Sequence, residues 1–401
     1  MIRALVQQAR RASLTRRGLL AAGGTAALAA FLTACSGRVG GASATSSAVP
    51  TAPADISATD KTLTWANWSF YLDEDDDGNH PTLEAFIKQS GIDVTYDVAI
   101  DDNATYFAKV RDQLSLGQEI GADLVCLTDW MAGMWIKLGY AQPFDTSVMP
   151  NLANLKENMR TPDFDPTRSF SAPWQSGFAG LAWNKEKLPN GLASIDDLWD
   201  PDLKGRVGVL SEMMDTIGLI MLSQGTDISD SGWGDTEFEN ALDVFAEQVS
   251  SGQIRNIKGN SYADDLKNED TLAAIVWSGD ITALNYEVGD KFGFALPDSG
   301  GTLWSDNFIV PIGSPRKANA EALINYYYEP EVAAEVAAWV NYITPVEGAK
   351  EAMESIDPDL VDEQLIFPDD ETLAQAHMFR TLTDAERNKY QSEFEAIGLG
   401  A

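Results

Sequence analysis

Histidine, cysteine and positive charge are what this chain is short of. Its 401 residues include two histidines, His80 and His377, and two cysteines, Cys35 and Cys126. That scarcity excludes a histidine-rich metal site, a histidine-based catalytic triad, a cysteine metal site and a disulfide framework. Cys126 lies in the run Ala122–Leu127, which reads as a buried strand where a free thiol behaves as a small apolar side chain. Lys and Arg number 28 against 61 Asp and Glu, a net charge of −33. So acidic a balance argues against nucleic acid as a partner, because binding phosphate needs a basic face. It permits a cationic ligand without proving one, since acidic surfaces commonly serve solubility. Beyond residue 35 no apolar run is long enough to span a membrane, and no internal repeat is visible. No nucleophile elbow, phosphate loop or metal-ligand spacing appears either, so neither catalytic residues nor a cofactor are expected. The acidic run Asp73–Asp77 only faintly resembles a calcium loop, because Pro81 breaks the pattern; a solvated loop is expected there.

What the chain does have is enough apolar residue, 44%, for a globular body of two or three domains. Its start reads as an export signal. Arg16 and Arg17 stand before an apolar segment rich in Gly and Ala, which ends in Leu32-Thr33-Ala34-Cys35. The arginine pair resembles a twin-arginine signal and the ending resembles a bacterial lipobox, which would make Cys35 the lipidated first residue of a membrane-anchored protein. Removal of residues 1–34 would take away Arg3, Arg10, Arg11, Arg16 and Arg17 and no acid, making the charge more negative still. Residues 36–60 are rich in Gly, Ser, Ala, Thr and Pro and read as a flexible tether.

After the tether, strands alternate with helices. Thr62–Trp68 alternates like a strand, Pro81 opens a helix that Gly91 ends, a strand follows at Ile92–Val98, a helix near Ala104–Leu116, and then the strand Ala122–Leu127. Such alternation predicts a parallel sheet with ligands gathered at the carboxyl ends of its strands. Trp68, Ser69 and Tyr71 stand at one such end, and Thr128, Asp129 and Trp130 at another. Further strands are expected at Gly177–Asn184, Gly205–Leu210 and Thr271–Trp277, a short helix capped by Ser194, and an amphipathic helix at Thr236–Ser250. Glu212 and Asp215 fall at a helix start, where carboxylates can serve the helix dipole as readily as a ligand. Two more helices should meet at Glu329-Pro330, and the acidic tail from Asp357 should be helical.

The stretch from Trp277 to Asp306 repeats one chemical idea. Trp277 stands three residues before Asp280, and Trp304 two before Asp306. An aromatic face beside a carboxylate suits a bound organic cation, which the ring attracts and the acid neutralises. The same pairs also read as core tryptophans with capping or surface aspartates.

Several separated runs together resemble the spermidine/putrescine-binding lipoproteins of bacterial ABC importers. They are Asn67–Tyr71, Ala122–Trp130, Phe164–Asn184, Asp196–Leu210, Ile275–Asp280, Leu303–Pro311 and the Tyr342–Pro345 turn, so the resemblance spans about Thr62 to Phe379. It implies a two-lobed α/β fold of the type II periplasmic-binding-protein kind, with a hinge and a ligand cleft between the lobes. One lobe would hold residues 60–177 and 305–350, the other 178–304 and 351–401. By position, Trp68 and Tyr71 would form part of an aromatic box with Ser69 beside them, and Thr128 and Trp130 would add a hydroxyl and a ring. Trp277 and Trp304 would sandwich a methylene chain, Asp280 and Asp306 would pair with ammonium groups, and Tyr342 would close the wall. The implied protein is a monomeric, non-enzymatic receptor that passes a polyamine to a permease. The sequence departs from the pattern in three places. Phe70 stands where an acid is common, the run Glu212–Thr216 replaces an acidic pair in an unfixed register, and Phe379 falls near a glutamine that marks the spermidine end in some members. These favour a shorter diamine or another amine. A receptor for an amino acid, sugar or metal chelate, and a secreted enzyme acting on glycans through paired carboxylates, are the alternatives.

Overall fold

A computed structural model describes residues 50–398 of the chain. The signal segment, Cys35 and the tether up to residue 49 lie outside the described residues. Those from 55 to 60, which composition assigns to the tether, are docked. Ile56 N donates to the Pro315 carbonyl at 2.8 Å, Asn319 N to the buried Ser57 hydroxyl at 3.2 Å, and Arg316 pairs with Asp60 at 2.9 Å.

The chain begins with β1 (Thr62–Trp68), α1 (Pro81–Ser90), β2 (Asp93–Ile100), α2 (Asn103–Ser115), β3 (Leu124–Thr128) and α3 (Asp129–Leu138). Local chemistry sets these bounds. Pro81 enters α1 at its first turn, where no amide proton is required, and Gly91 leaves it at φ 70°, a left-handed conformation suited to glycine. Asp102 caps α2 by accepting from Thr105 N at 2.8 Å. Asp73 is not solvated as the acidic run suggests. It is buried and accepts from the Thr82 amide at 2.8 Å and the Thr82 hydroxyl, tying the loop to the start of α1.

A long strand β4 (Ala172–Asn184) follows, then β5 (Val207–Leu210), α4 (Met213–Ser223), α5 (Asp235–Ser250), β6 (Ile254–Lys258), α6 (Tyr262–Lys267), β7 (Ala273–Trp277), α7 (Ser278–Val288), β8 (Phe292–Ala295) and β9 (Gly301–Ile309). The end of the chain adds α8 (Lys317–Tyr327), α9 (Pro330–Val340), α10 (Ala349–Ile356), α11 (Asp370–Leu373), the two-residue strand β10 (Ala376–His377) and α12 (Asp384–Gly398). The tail is therefore not helical throughout: β10 joins the sheet beside the start of β9, with His377 opposite Thr302.

The strands form one sheet in the order β2-β1-β3-β9-β4-β7-β5-β6. It is mixed rather than parallel. β1 runs parallel to β2 and β3, and β5 parallel to β6 and β7, as the strand–helix alternation predicts. Between these two sets lie β4 and β9, antiparallel to each other and to β7 and β3 on either side, while the short β10 runs parallel to β9. Sequence periodicity cannot reveal that, because a buried strand reads alike in either direction. These two strands carry the chain from one parallel set to the other. The result is a two-lobed α/β fold in which β4 and β9 are shared.

Each half has its own core. In the first, Trp65 of β1 meets Trp174 edge-on at 5.4 Å, Phe308 at 5.5 Å and Tyr327 at 5.6 Å. In the second, α12 packs on α5, with Tyr390 stacked on Phe238 at 3.9 Å and Phe394 on Phe245 at 4.9 Å. Rings of this size bury enough apolar area that such clusters dominate the stability of each half.

Candidate functional site

The cleft lies along the shared strands, with a volume of about 490 Å³. Strand alternation sets one wall. Side chains two apart share a face, so Thr302, Trp304 and Asp306 of β9 all line the cleft. β3 ends opposite, where Thr128 pairs in register with Asp306 and hands the wall to α3. β1 ends at Trp68, whose indole nitrogen donates to the Cys126 carbonyl at 3.1 Å. The turn beyond places Phe70 at φ 56°, a left-handed conformation that costs a bulky residue roughly 1 kcal/mol or more. That turn brings Tyr71 back beneath the cleft. β7 ends at Trp277, Asp280 stands in the first turn of α7, and Tyr342 comes from the turn after α9.

All twelve residues singled out in the sequence line this one cleft: Trp68, Ser69, Tyr71, Thr128, Trp130, Glu212, Asp215, Trp277, Asp280, Trp304, Asp306 and Tyr342. The rings fall into two clusters. Trp304 meets Tyr342 at 5.1 Å and Tyr71 at 6.4 Å, and Tyr71 meets Tyr342 edge-on at 5.4 Å. Trp277 meets Trp68 and Tyr262, each at 6.0 Å. Two glycines make room for the first cluster. A Cβ on Gly177 would stand 2.5 Å from the Trp304 ring, and one on Gly279 would stand 2.6 Å from the Tyr342 ring.

Four buried carboxyl groups and the half-buried Asp129 surround these rings, and their states of engagement differ. Asp280 is fully engaged, accepting from Tyr342 at 2.9 Å, Tyr262 at 2.9 Å and Asn260 at 2.8 Å. Asp215 accepts from the Trp277 indole at 2.8 Å and the Thr302 hydroxyl at 2.5 Å, so it holds a ring in place. Glu212 accepts from the Asn103 amide at 3.0 Å and from its side chain at 2.8 Å. Asp129 accepts from Asn307 at 2.6 Å. Asp306 is the exception: Tyr71 donates to one oxygen at 2.8 Å, and the other is buried with no hydrogen-bond partner among the described residues. A buried acceptor left in that state costs about 1–3 kcal/mol until something donates to it.

Burial raises all five above the ordinary carboxylate range. Desolvation is the main cause throughout. It brings Asp306 up to about 7, with the nearby Thr128 hydroxyl and the Tyr71 hydroxyl opposing the rise and the neighbouring Asp129 and Asp215 adding to it. Asp280 rises to about 6 against the pull of its three donors, and Asp129 to about 6. Asp215 is raised and Glu212 well raised. Because Asp129, Asp280 and Asp306 titrate higher folded than unfolded, their stabilising contribution is complete below about pH 4 and is lost as pH rises to 6 to 7. The ligand-free protein should therefore melt at a lower temperature at pH 7.5 than at pH 5.5. Asp306→Asn should shrink that difference; calorimetric melts of both proteins across this range check it.

Sequence reasoning placed Glu212 and Asp215 at a helix start without separating dipole from ligand. The structure engages them with protein donors. It also adds residues that no sequence pattern singles out. Asn260 and Tyr262 hold Asp280, from a turn with no distinguishing pattern. Thr302 was within reach, because strand spacing from Trp304 and Asp306 points to it. The far wall, Met378–Leu382 with Asp384 and Arg387, comes from the tail, where the resemblance had singled out Phe379 alone.

A two-lobed α/β fold with an enclosed acidic cleft on its shared strands defines a solute-binding protein. The family model for bacterial extracellular solute-binding proteins matches residues 81–363, and the chain belongs to that family. It is 25% identical over 340 residues to the spermidine/putrescine-binding periplasmic protein of Escherichia coli K12, covering 84% of this chain and 92% of that one. It is 28% identical over 306 residues to the putrescine-binding periplasmic protein of the same organism, covering 72% and 78%. Among solved structures it resembles a lipoprotein of Treponema pallidum, with a TM-score of 0.69 at 22% identity, over 84% of this chain and 99% of that one. No helix among the described residues is long and apolar enough to cross a membrane.

Proposed function

We propose that this protein is the receptor of an ABC importer, that its cargo is an organic amine of the polyamine class, and that it passes this cargo to a permease. The observation that carries the reading is the unpartnered oxygen of Asp306, buried among Tyr71, Trp304 and Tyr342. A buried carboxylate short of a donor and framed by ring faces is complementary to an alkyl ammonium. Such an ammonium titrates near the lysine value of about 10.4 and stays charged at neutral pH. The relatives named above, whose names specify putrescine or spermidine, support the same class of cargo.

On this reading Asp306 pairs directly with an ammonium. Asp280 contributes a negative charge already oriented by three donors. Trp68, Ser69, Tyr71, Thr128, Trp130, Trp277, Trp304 and Tyr342 wall the carbon chain, while Asp215 and Glu212 hold the walls in place. One lobe comprises residues 60–177 and 305–350, and the other 178–304 and 351–401. The protein acts as a monomer without a cofactor and catalyses nothing, and lipidated Cys35 anchors it to the outer face of the membrane.

The test is calorimetry of the chain from Ser36 onward against diamines, spermidine, amino acids and sugars. Diamines should bind and sugars should not; the reverse order would overturn the assignment. Trp304→Ala should weaken diamine binding at least tenfold. Trp183, which packs on Gly191 and Gly293 and does not line the cleft, is the control. Trp183→Ala should leave the affinity within about twofold, and equal losses would mean that a core ring had been taken for a site.

A further inference from the structure

The cleft is longer than a short diamine needs, and its two halves differ in chemistry. α3 gives its length. Asp129, Trp130, Gly133, Ile136 and Lys137 all line it, and at 1.5 Å per residue the wall from Asp129 to Lys137 runs about 12 Å. A four-carbon diamine, with bonds of about 1.5 Å, reaches only about 6 Å from nitrogen to nitrogen. The volume of about 490 Å³ falls in the range of pockets that enclose drug-sized ligands.

The inner half, where α3 begins beside Asp306, holds the carboxylates. The outer half is apolar, lined by Ile136, Phe164, Met214, Met378, Phe379 and Leu382. Small residues seat two of these rings. A Cβ on Gly133 would stand 2.9 Å from Phe164, and one on Gly218 of α4 would stand 3.3 Å from the Phe379 ring.

The outer rim carries Lys137, Arg380 and Arg387, all paired with carboxylates, and one exposed carboxylate, Asp163. Lys137 and Arg387 both bond Asp384. Arg380 lies over the Trp233 ring at 3.8 Å and bonds Glu386 at 2.7 Å. A further ammonium carried to that end would meet like charge, carboxylates that are already claimed, and only the solvent-exposed Asp163, whose pull water and salt screen. An apolar group would meet ring and methionine surface and displace water from it.

We propose that the cargo is a diamine extended at one nitrogen by an apolar substituent, an N-aralkyl or N-acyl diamine, with its free ammonium at Asp306 and its substituent between α3 and the Met378–Leu382 segment. This rests on the amine-receptor reading and names the kind of amine. Phe379 and Met214 then set specificity for the substituent rather than for the ammonium.

Calorimetry with putrescine, N-benzylputrescine and spermidine tests this on the unaltered protein. The benzyl compound has the same charge as putrescine and adds only apolar surface. It should bind at least tenfold tighter than putrescine, and spermidine no tighter than putrescine. Phe379→Gln should remove most of the benzyl advantage, bringing the ratio of benzylputrescine to putrescine affinity to within about twofold of one. Equal affinity for benzylputrescine and putrescine, or spermidine binding tighter than both, would overturn the proposal while leaving the amine receptor intact. Failure of all three to bind would instead overturn the amine-receptor reading on which it rests.

Discussion

Asp306→Asn should weaken diamine binding by about 2–5 kcal/mol, roughly thirty- to several-thousand-fold, because it leaves one charge of a desolvated pair without its partner. The substitution keeps the size of the side chain and its hydrogen bond to Tyr71, so the change falls on charge. Asp306 suits this test better than Asp280. Three protein donors already balance Asp280, whereas Asp306 has one oxygen unclaimed among the described residues. The pH dependence follows from the same burial. In the empty cleft Asp306 is held up to about 7, chiefly by desolvation, so near neutrality about half the molecules carry a proton there. An ammonium pairs only with the ionised form and must displace that proton. Affinity should therefore rise with pH up to about 7 and level off above it, with proton release on binding below that point. In Asp306→Asn the rise between pH 6 and 7.5 should largely disappear. Calorimetry in two buffers of different ionisation enthalpy measures both the affinity and the proton release. Wild-type affinity in the variant would remove Asp306 from the site.

The parts of this molecule that follow local rules were legible in the sequence. Pro81 and Gly91 bound a helix because each favours one backbone conformation. Trp304 and Asp306 stood out as an aromatic ring two residues from a carboxylate, although the strand that puts them on one face was not read from the sequence. Position at a strand's carboxyl end singled out Trp68 and Tyr71, and resemblance added Tyr342 from a distant part of the chain. What escaped were facts of tertiary placement. The antiparallel course of β4 and β9 leaves no mark on periodicity. Asn260 and Tyr262 are ordinary residues until α6 is packed against α7. Whether Asp215 meets a ligand or the Trp277 indole depends on which donor arrives, and helix-start chemistry is the same in both cases. The acidic run was misread at Asp73 because composition suggests solvent, whereas Thr82 offers two donors nine residues away.

Gly259→Ala should cost at least tenfold in diamine affinity although Gly259 itself does not line the cleft. The reason lies at the edges of the sheet. β2 and β6 are its outermost strands, yet the turns that follow them meet. Ser261 N donates to Asp101 at 3.0 Å, and beside it Ser211 donates to Asp102 at 2.8 Å and Asn103 N to Glu212 at 3.0 Å. The sheet therefore curls, and this clasp joins the proposed lobes across the cleft. Gly259 sits within it: a Cβ there would stand 1.6 Å from the Asp101 carbonyl oxygen, far inside contact distance. The obstacle is backbone, so no side-chain rotation relieves it. Gly259 has no left-handed backbone conformation to strain an alanine, so the penalty falls on the clasp. Lobes that cannot meet leave Asp306 open to water, and the apparent affinity falls in proportion to the population still able to close. The ligand-free melting temperature should change little compared with this loss, because each lobe keeps its own core. Small-angle scattering should show wild type contracting on diamine addition and the variant failing to do so. Undiminished affinity in Gly259→Ala would mean that capture does not require these turns to meet.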